Sequence, residues 1–195
     1  MLTNRHPRLR LVAFPGSYHA LVEALRRREI DRIIGILRHA ACPPDLLETP
    51  LYSERFTVIA RAGHPLLGAP QRLEDLARAN WVVAPHGTPV RMHFDRLFAS
   101  QGLTPPTQSV EMLSFDAAEQ MLAESNSLGM LTYGEAGLRR LRPDLGQVRL
   151  RLAPDQAVAR AGIGLVRLAH APVDAALAAF EAALRDVLAQ AGEAR

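Results

Sequence analysis

Short apolar runs alternate with longer segments of helical periodicity along most of this 195-residue chain. The apolar runs have the length and composition of strands, and they cover residues 9–13, 30–37, 56–60, 81–84, 107–112, 128–133, 148–152 and 163–168. Apolar residues on one helical face predict helices at 17–28, 72–76, 90–100, 115–124 and 172–191. Strands that alternate with helices predict an α/β fold of two lobes, joined by strands that cross between them.

The first and the last of these elements carry more specific expectations. Residues 9–13 alternate apolar and polar side chains and end at a Pro-Gly turn, after which a helix and the β-branched strand at 30–37 follow. This order predicts a β-α-β unit whose two strands are parallel. The C-terminal helix is expected to bury one apolar stripe, formed by Val173, Leu177, Phe180, Leu184 and Leu188.

Composition restricts the class of protein. Apolar residues make up 48% of the chain and charged residues 22%, as in globular proteins that bury a core. Cys42 is the only cysteine, which excludes a disulfide framework and favours a reducing compartment. No apolar run approaches the roughly 20 residues that cross a bilayer, and residues 1–7 lack a signal-peptide core. We therefore expect a cytoplasmic protein with no membrane partner.

The charge pattern gives little support to nucleic-acid binding. The net charge is +3, but all basic residues are arginine, and they are spread among 20 acidic residues. The densest cluster, residues 26–28, ends a predicted helix, where positive charge complements the helix dipole. We interpret this cluster as a solvated face, with phosphate binding as the alternative.

The sequence also lacks the motifs of common catalytic and metal sites. The seven histidines have no paired-ligand spacing, and neither a G-x-S-x-G elbow nor a Gly-rich phosphate loop occurs. We therefore expect no catalytic residues, no metal and no cofactor, although enzymes do use two-lobed folds. Residues 115–140 superficially resemble a helix-turn-helix, but the apolar run at 128–133 fits a buried strand better than a groove-facing helix.

Four longer passages resemble one known family. They read RRREIDRIIGIL at 26–37, PLYSERFTVIARAGHPL at 50–66, LEDLARANWVVAPHGTPVRMHFDRLFASQGLTPP at 73–106 and GIGLVRLAHAPVDAALAAF at 162–180. Their order and spacing resemble the effector-binding (substrate-binding) domain of LysR-type transcriptional regulators. Arg28, where a glycine is more usual, and the wording WVVAPHGTPVR are most similar to the branch named for the galactose-binding-protein regulator.

The resemblance implies a two-lobed type 2 periplasmic-binding-protein-like fold. Lobe 1 is expected at 1–62, lobe 2 at 63–160, and a return to lobe 1 at 161–195. Three departures from the family pattern stand out. The first is that no helix-turn-helix precedes residue 1. The second is that the usual first strand and helix of the domain are missing, so we expect a fold that is truncated at its N-terminus. The third is Gly134, which stands where a proline is common.

The resemblance places a small ligand in the cleft between the lobes. Ligands of open α/β sheets bind beyond the carboxyl ends of strands, against helix N-termini. Four such ends provide the candidate ligand-binding residues, which are Gly16, Ser17 and Tyr18; His86, Gly87, Thr88, Pro89 and Arg91; Ser114 and Phe115; and Thr132 and Tyr133.

Each of these segments also has a purely structural interpretation. Ser17 could donate its hydroxyl to a carboxylate or a sugar, or could simply cap a helix. Arg91 could offer its planar fork to an acid, or could face solvent on a capped helix. Ser114 could act only as a cap, and Tyr133 could either line the cleft or complete the core.

The function implied by the resemblance is the sensing of a small metabolite, either a sugar or an organic or aromatic acid. Binding would control a homo-oligomer, a dimer or a tetramer, that contacts DNA only through a helix-turn-helix domain absent from this chain. Such control requires the ligand to bind one arrangement better than another. The alternative is a stand-alone type 2 solute-binding protein, which shares the two-lobed cleft.

Overall fold

The chain divides into two compact units in the computed structural model, which describes residues 9–107, 109–152 and 160–191. Unit 1 combines the chain up to Ser53 with the chain from Gly162 onward, and unit 2 is Glu54–Ala161. The lobe boundaries expected near residues 62 and 160 stay a prediction.

Helices and strands alternate through both units, which confirms the α/β class. The helices are α1 (Tyr18–Arg26), α2 (Leu73–Leu76), α3 (Pro89–Ala99), α4 (Phe115–Glu124), α5 (Glu135–Arg139) and α6 (Ala175–Ala191). The strands are β1 (Ile33–Ile36), β2 (Leu46–Arg61), β3 (Trp81–Val83), β4 (Ser109–Glu111), β5 (Leu128–Tyr133), β6 (Leu145–Val148) and β7 (Arg160–Leu168).

The sheet of unit 2 has the strand order β6-β2-β5-β3-β4. β2 is antiparallel to β5 and β6, whereas β3 is parallel to both β4 and β5. The carboxyl ends of β3, β4 and β5 therefore lie at the same edge of this sheet. The loops that follow β3 and β4 carry two of the four predicted site segments, and a third, Thr132 and Tyr133, forms the end of β5.

Helices cover both faces of the unit 2 sheet, because successive side chains of a strand point to opposite faces. On one face, Trp81 packs against Phe94 and Phe98 of α3, with the ring centroids 4.9 and 6.0 Å apart. On the other face, Val82 packs with Leu122 of α4. All five of these side chains are buried, so α3 and α4 are anchored to the strands whose ends carry the predicted site.

Unit 1 has a smaller core. β1 pairs with β7 in antiparallel register, and β7 neighbours β2. Val22 and Leu25 of α1 pack with Ile33, Leu46 and Val166 from these strands. The core of unit 1 thus lies between α1 and the strands β1, β2 and β7.

At the end of α1, Arg28 has an unusual backbone conformation. The Arg28 N–H donates to Leu25 O and the Glu29 N–H donates to Ala24 O, which is the Schellman pattern of helix termination. Arg28 has φ +58°, in the left-handed region that favours glycine. The local geometry is therefore one that a glycine would adopt without strain and that Arg28 adopts despite its Cβ.

Residues 9–13 do not form the predicted strand. They have no β pairing, and Leu11 and Val12 are 57% and 64% exposed. An extended segment becomes a strand only when a neighbouring strand satisfies its N–H and C=O groups, and none lies beside this segment among the described residues. The parallel β-α-β unit is accordingly wrong, because β1 pairs with β7 in antiparallel register.

Two further predictions need correction. The strand expected at 148–152 lies earlier, as β6 at Leu145–Val148, and Leu150 makes only an isolated bridge to Gln71. The apolar stripe of the C-terminal helix is not buried. No residue of α6 is fully buried, and Val173, which precedes the helix, is 47% exposed.

Two glycines that face each other in the β1–β7 register provide a test of unit 1. A Cβ at Gly164 would lie 2.4 Å from the carbonyl oxygen of Thr49, whereas a Cβ at Gly35 would meet nothing within 4 Å. We expect Gly164→Ala to lower the free energy of unfolding by about 1–3 kcal/mol, because backbone must shift. The matched control Gly35→Ala should cost nothing, and urea unfolding measures both. Equal effects of the two substitutions would contradict this packing.

Candidate functional site

The predicted segment in unit 1 caps α1 and begins the helix. The Ser17 hydroxyl accepts the N–H of Ala20 at 3.3 Å, as the capping interpretation expects. Arg38 lies over the Tyr18 ring, with its guanidinium carbon 4.3 Å from the ring centroid. The Tyr18 hydroxyl is buried and has no hydrogen-bond partner among the described residues. Burial is the main cause that raises the pKa of Tyr18 above its usual value.

A buried hydroxyl without a partner is costly, because it loses its hydrogen bonds to water. A ligand atom or an ordered water is the usual partner of such a group. Tyr18 is therefore the residue of unit 1 whose chemistry best fits a binding role. Gly16 lets the Leu21 side chain pack close to the backbone, since a Cβ at position 16 would lie 2.9 Å from Leu21 Cδ2.

The segment after β3 is largely satisfied by its own hydrogen bonds. The Thr88 hydroxyl donates to Pro85 O at 2.8 Å and accepts the Arg91 N–H at 3.2 Å. The Thr88 N–H donates to Pro85 O at 3.2 Å, and Pro89 has no N–H. Gly87 has φ +81°, which lets the chain turn into α3. The N–H groups of Thr88 and Arg91 are thus already used within the loop.

The environment of the Arg91 side chain differs from both interpretations of the sequence, which were contact with an acid and exposure to solvent. It is only 12% exposed, and its Nε donates to Asp95 Oδ1 and its Nη1 to Glu111 Oε1, each at 3.0 Å. One positive charge therefore faces two carboxylates. His86 is 72% exposed, and its Nε2 lies 3.6 Å from the same Glu111 Oε1.

The segment after β4 contacts the end of β5 through aromatic side chains. The Phe115 and Tyr133 rings pack edge to face, with centroids 5.3 Å apart. Tyr133 is 6% exposed and its hydroxyl donates to Glu119 Oε1 at 2.6 Å, so it completes the core. Burial and this hydrogen bond raise the pKa of Tyr133. Ser114 caps α4, and Thr132 lies opposite Phe56 in the β2–β5 register.

Apolar side chains are exposed beside these capped segments. Phe115 is 41% exposed and Leu113 is 52% exposed, on either side of Ser114. His93 of α3 stacks on Phe56 of β2, with ring centroids 4.1 Å apart, which is a further contact between α3 and the sheet. Burial and the charge of Arg96 lower the pKa of His93, so the stacked ring is favoured in its neutral form.

The structure brings together the predicted residues of unit 2 but shows partners that sequence reasoning missed. Glu111 links the segments after β3 and β4, and Glu119 holds Tyr133. The i, i+4 spacing of Arg91 and Asp95 in the sequence indicates an ion pair along one helix, so this contact could have been predicted. Glu111 gave no local signal, because its contact depends on the register of β4 beside β3.

Other site types have little support in the described part of the chain. No group of three or more His, Cys, Asp or Glu there could hold a metal ion. None of the helices described is long and apolar enough to cross a membrane. A cavity of about 240 Å³ in unit 2 is lined by Arg72, Leu73, Glu74, Gln101, Arg151 and Leu152.

Comparison with known proteins points to one family. The model of the LysR substrate binding domain matches residues 1–189. The HTH-type transcriptional regulator GalR of Pseudomonas putida is 31% identical over 188 residues, which is 96% of this chain and 46% of GalR. GbpR of Azospirillum brasilense is 31% identical over 135 residues, covering 65% of this chain and 38% of GbpR. The chain thus spans about half the length of the curated relatives it matches, or less.

Solved structures agree with this match. The effector binding domain of QuiR in complex with shikimate has a TM-score of 0.75 at 16% identity, covering 97% of this chain and 87% of that chain. The BenM effector binding domain with its effector benzoate has a TM-score of 0.71 at 24% identity, covering 100% of this chain and 85% of that chain. At these identities the two structures establish the fold and nothing further.

Proposed function

Because the chain belongs to the LysR substrate-binding-domain family, we propose that it is the ligand-sensing part of a bacterial transcription regulator. Its fold is the type 2 periplasmic-binding-protein-like fold of LysR effector-binding domains. The match over residues 1–189 carries the proposal. The curated relatives are HTH-type regulators, which favours this function over a stand-alone solute-binding protein and over an enzyme.

The proposed effector is a small metabolite, and the four predicted segments are the candidates for its contacts. In unit 2, two of them follow the carboxyl ends of β3 and β4 and a third is formed by the last two residues of β5, at the edge where ligands of α/β sheets bind. The segment in unit 1 contains the buried hydroxyl of Tyr18, which has no hydrogen-bond partner among the described residues. QuiR and BenM are described with shikimate and benzoate, so organic and aromatic acids come first among the classes to test, with sugars next.

The local chemistry favours an effector with an apolar part. The Arg91 charge already faces two carboxylates, and the cap hydroxyls of Thr88 and Ser114 already accept helix N–H groups. Phe115 is an exposed apolar side chain within one predicted segment, and its ring packs against Tyr133 of another. We infer that a planar or apolar portion of the effector packs on its ring.

Ligand binding by a Phe115 variant tests this function. A panel of aromatic acids, other organic acids and monosaccharides should contain a compound that raises the melting temperature, because ligands that bind the folded state stabilise it. Phe115→Ala should weaken that compound by about 1–2 kcal/mol through lost apolar contact. Val187→Ala, at a 61% exposed position of α6, is the matched control and should bind normally. A panel without any stabilising compound would contradict sensing by this domain.

We also propose that copies of the protein associate and act in the cytoplasm on DNA, through a helix-turn-helix domain outside this chain. Unit 1 leaves apolar side chains exposed on β1, on α6 and in residues 9–14, which supports association. Light scattering at micromolar concentration should therefore give the mass of a dimer or a larger species. A monomer over that whole range would count against self-association.

A further inference from the structure

The geometry points to Glu111 as a positioning residue of the effector site, a brace that joins two binding segments without contacting the ligand. This inference rests on the proposed function of the same site. It concerns the group formed by His86, Arg91, Asp95 and Glu111 in unit 2.

The first step is the position of Glu111 in the chain. It is the last residue of β4, three residues before the α4 cap Ser114 and four before Phe115. The N–H of Met112, the next residue, donates to Val83 O at 2.9 Å. Glu111 therefore stands where β4 leaves the sheet toward the segment that begins α4.

The second step is the set of partners that Glu111 holds. Its Oε1 accepts from Arg91 Nη1 at 3.0 Å and lies 3.6 Å from His86 Nε2. His86 lies in the loop between β3 and α3, and Arg91 lies in the first turn of α3. One carboxylate oxygen thus ties the segment after β3 to the strand that leads into the segment after β4.

The third step concerns the energy of these contacts. Ion pairs between exposed side chains contribute little, with a median of about 0–1 kcal/mol. The Arg91 side chain is only 12% exposed and Glu111 is 45% exposed, so water reaches their pair mainly from the Glu111 side and screens it less than a pair with both side chains exposed. Asp95 adds a second acceptor on the same helix, but that contact lies within α3 and joins nothing to β4.

The charges also argue against Arg91 as a direct contact for an acid. An incoming carboxylate would have to compete with Asp95 and Glu111 for one guanidinium, and the two anions would repel it. Arg91 therefore supports the site through its ion pair with Glu111 and does not contact the ligand. This differs from the direct anion-binding role expected from the sequence, and the two roles predict opposite effects of neutralising Glu111.

Amide hydrogen exchange of the full chain tests the brace without any ligand. We expect Glu111→Ala to speed exchange about three- to tenfold in residues 86–92 and also in residues 112–118, because both segments lose their shared tether. Arg91→Ala should do the same, and the double variant should add little to either single change. Glu111→Gln, whose amide oxygen still accepts from Arg91, should restore most of the protection.

Asp95→Ala is the matched control, since it removes a partner of Arg91 on the same helix. It should speed exchange only in residues 86–92. Exchange that stays unchanged in residues 112–118 of the Glu111→Ala variant would overturn the brace, whatever the protein binds.

A second measurement uses benzoate and its neutral isostere benzamide as probes in calorimetry. The brace predicts that Glu111→Ala weakens both probes by the same factor. Direct anion binding by Arg91 predicts instead that Glu111→Gln strengthens benzoate alone, and that result would contradict the brace. If the wild-type chain binds neither probe, these two compounds are excluded as effectors, while the exchange result still decides the role of Glu111.

Discussion

Both units are built on one strand, β2, and most of the remaining architecture depends on its pairing. Its 16 residues include the last residues of the first segment of unit 1 and the first residues of unit 2. In unit 2 it pairs with β5 on one side and β6 on the other, so Ile59 and Ala60 are completely buried. Because β5 is in turn the parallel neighbour of β3, the pairing of β2 decides which sheet edge gathers the predicted ligand-binding loops.

The loops at that edge carry polar groups that are mostly engaged in holding the loops themselves. Thr88 and Ser114 cap α3 and α4, and Arg91 is neutralised by carboxylates. Preorganised loops of this kind lose little conformational entropy when a ligand binds, because the loops are already ordered. The exposed side chains at this edge include Leu113, the Phe115 ring and the His86 imidazole. They favour the proposed recognition of a small molecule through shape and apolar contact as much as through charge.

Local sequence patterns were sufficient for much of the fold. The helix at 115–124 and the strand at 128–133 have the predicted bounds, because their periodicity and caps are local signals. Residues 9–13 have the pattern of a strand but no neighbour to pair with in the described part of the chain, and a pattern cannot reveal whether a neighbour is present. The Glu111 contacts were equally inaccessible, since they join residues 20 positions apart through strand register. The apolar residues of α6 are only partly buried, which shows that an amphipathic pattern predicts an apolar helix face but not what packs against it.

The central proposal is that this chain senses a small molecule through the unit 2 segments at residues 86–91 and 114–115. Amide chemical-shift mapping by NMR, during titration with a compound that stabilises the protein, tests it most directly. The account predicts that the largest shifts in unit 2 fall on amides of Thr88 and Phe115. Shifts confined to the cavity between Arg72 and Arg151, with those two amides unchanged, would contradict it.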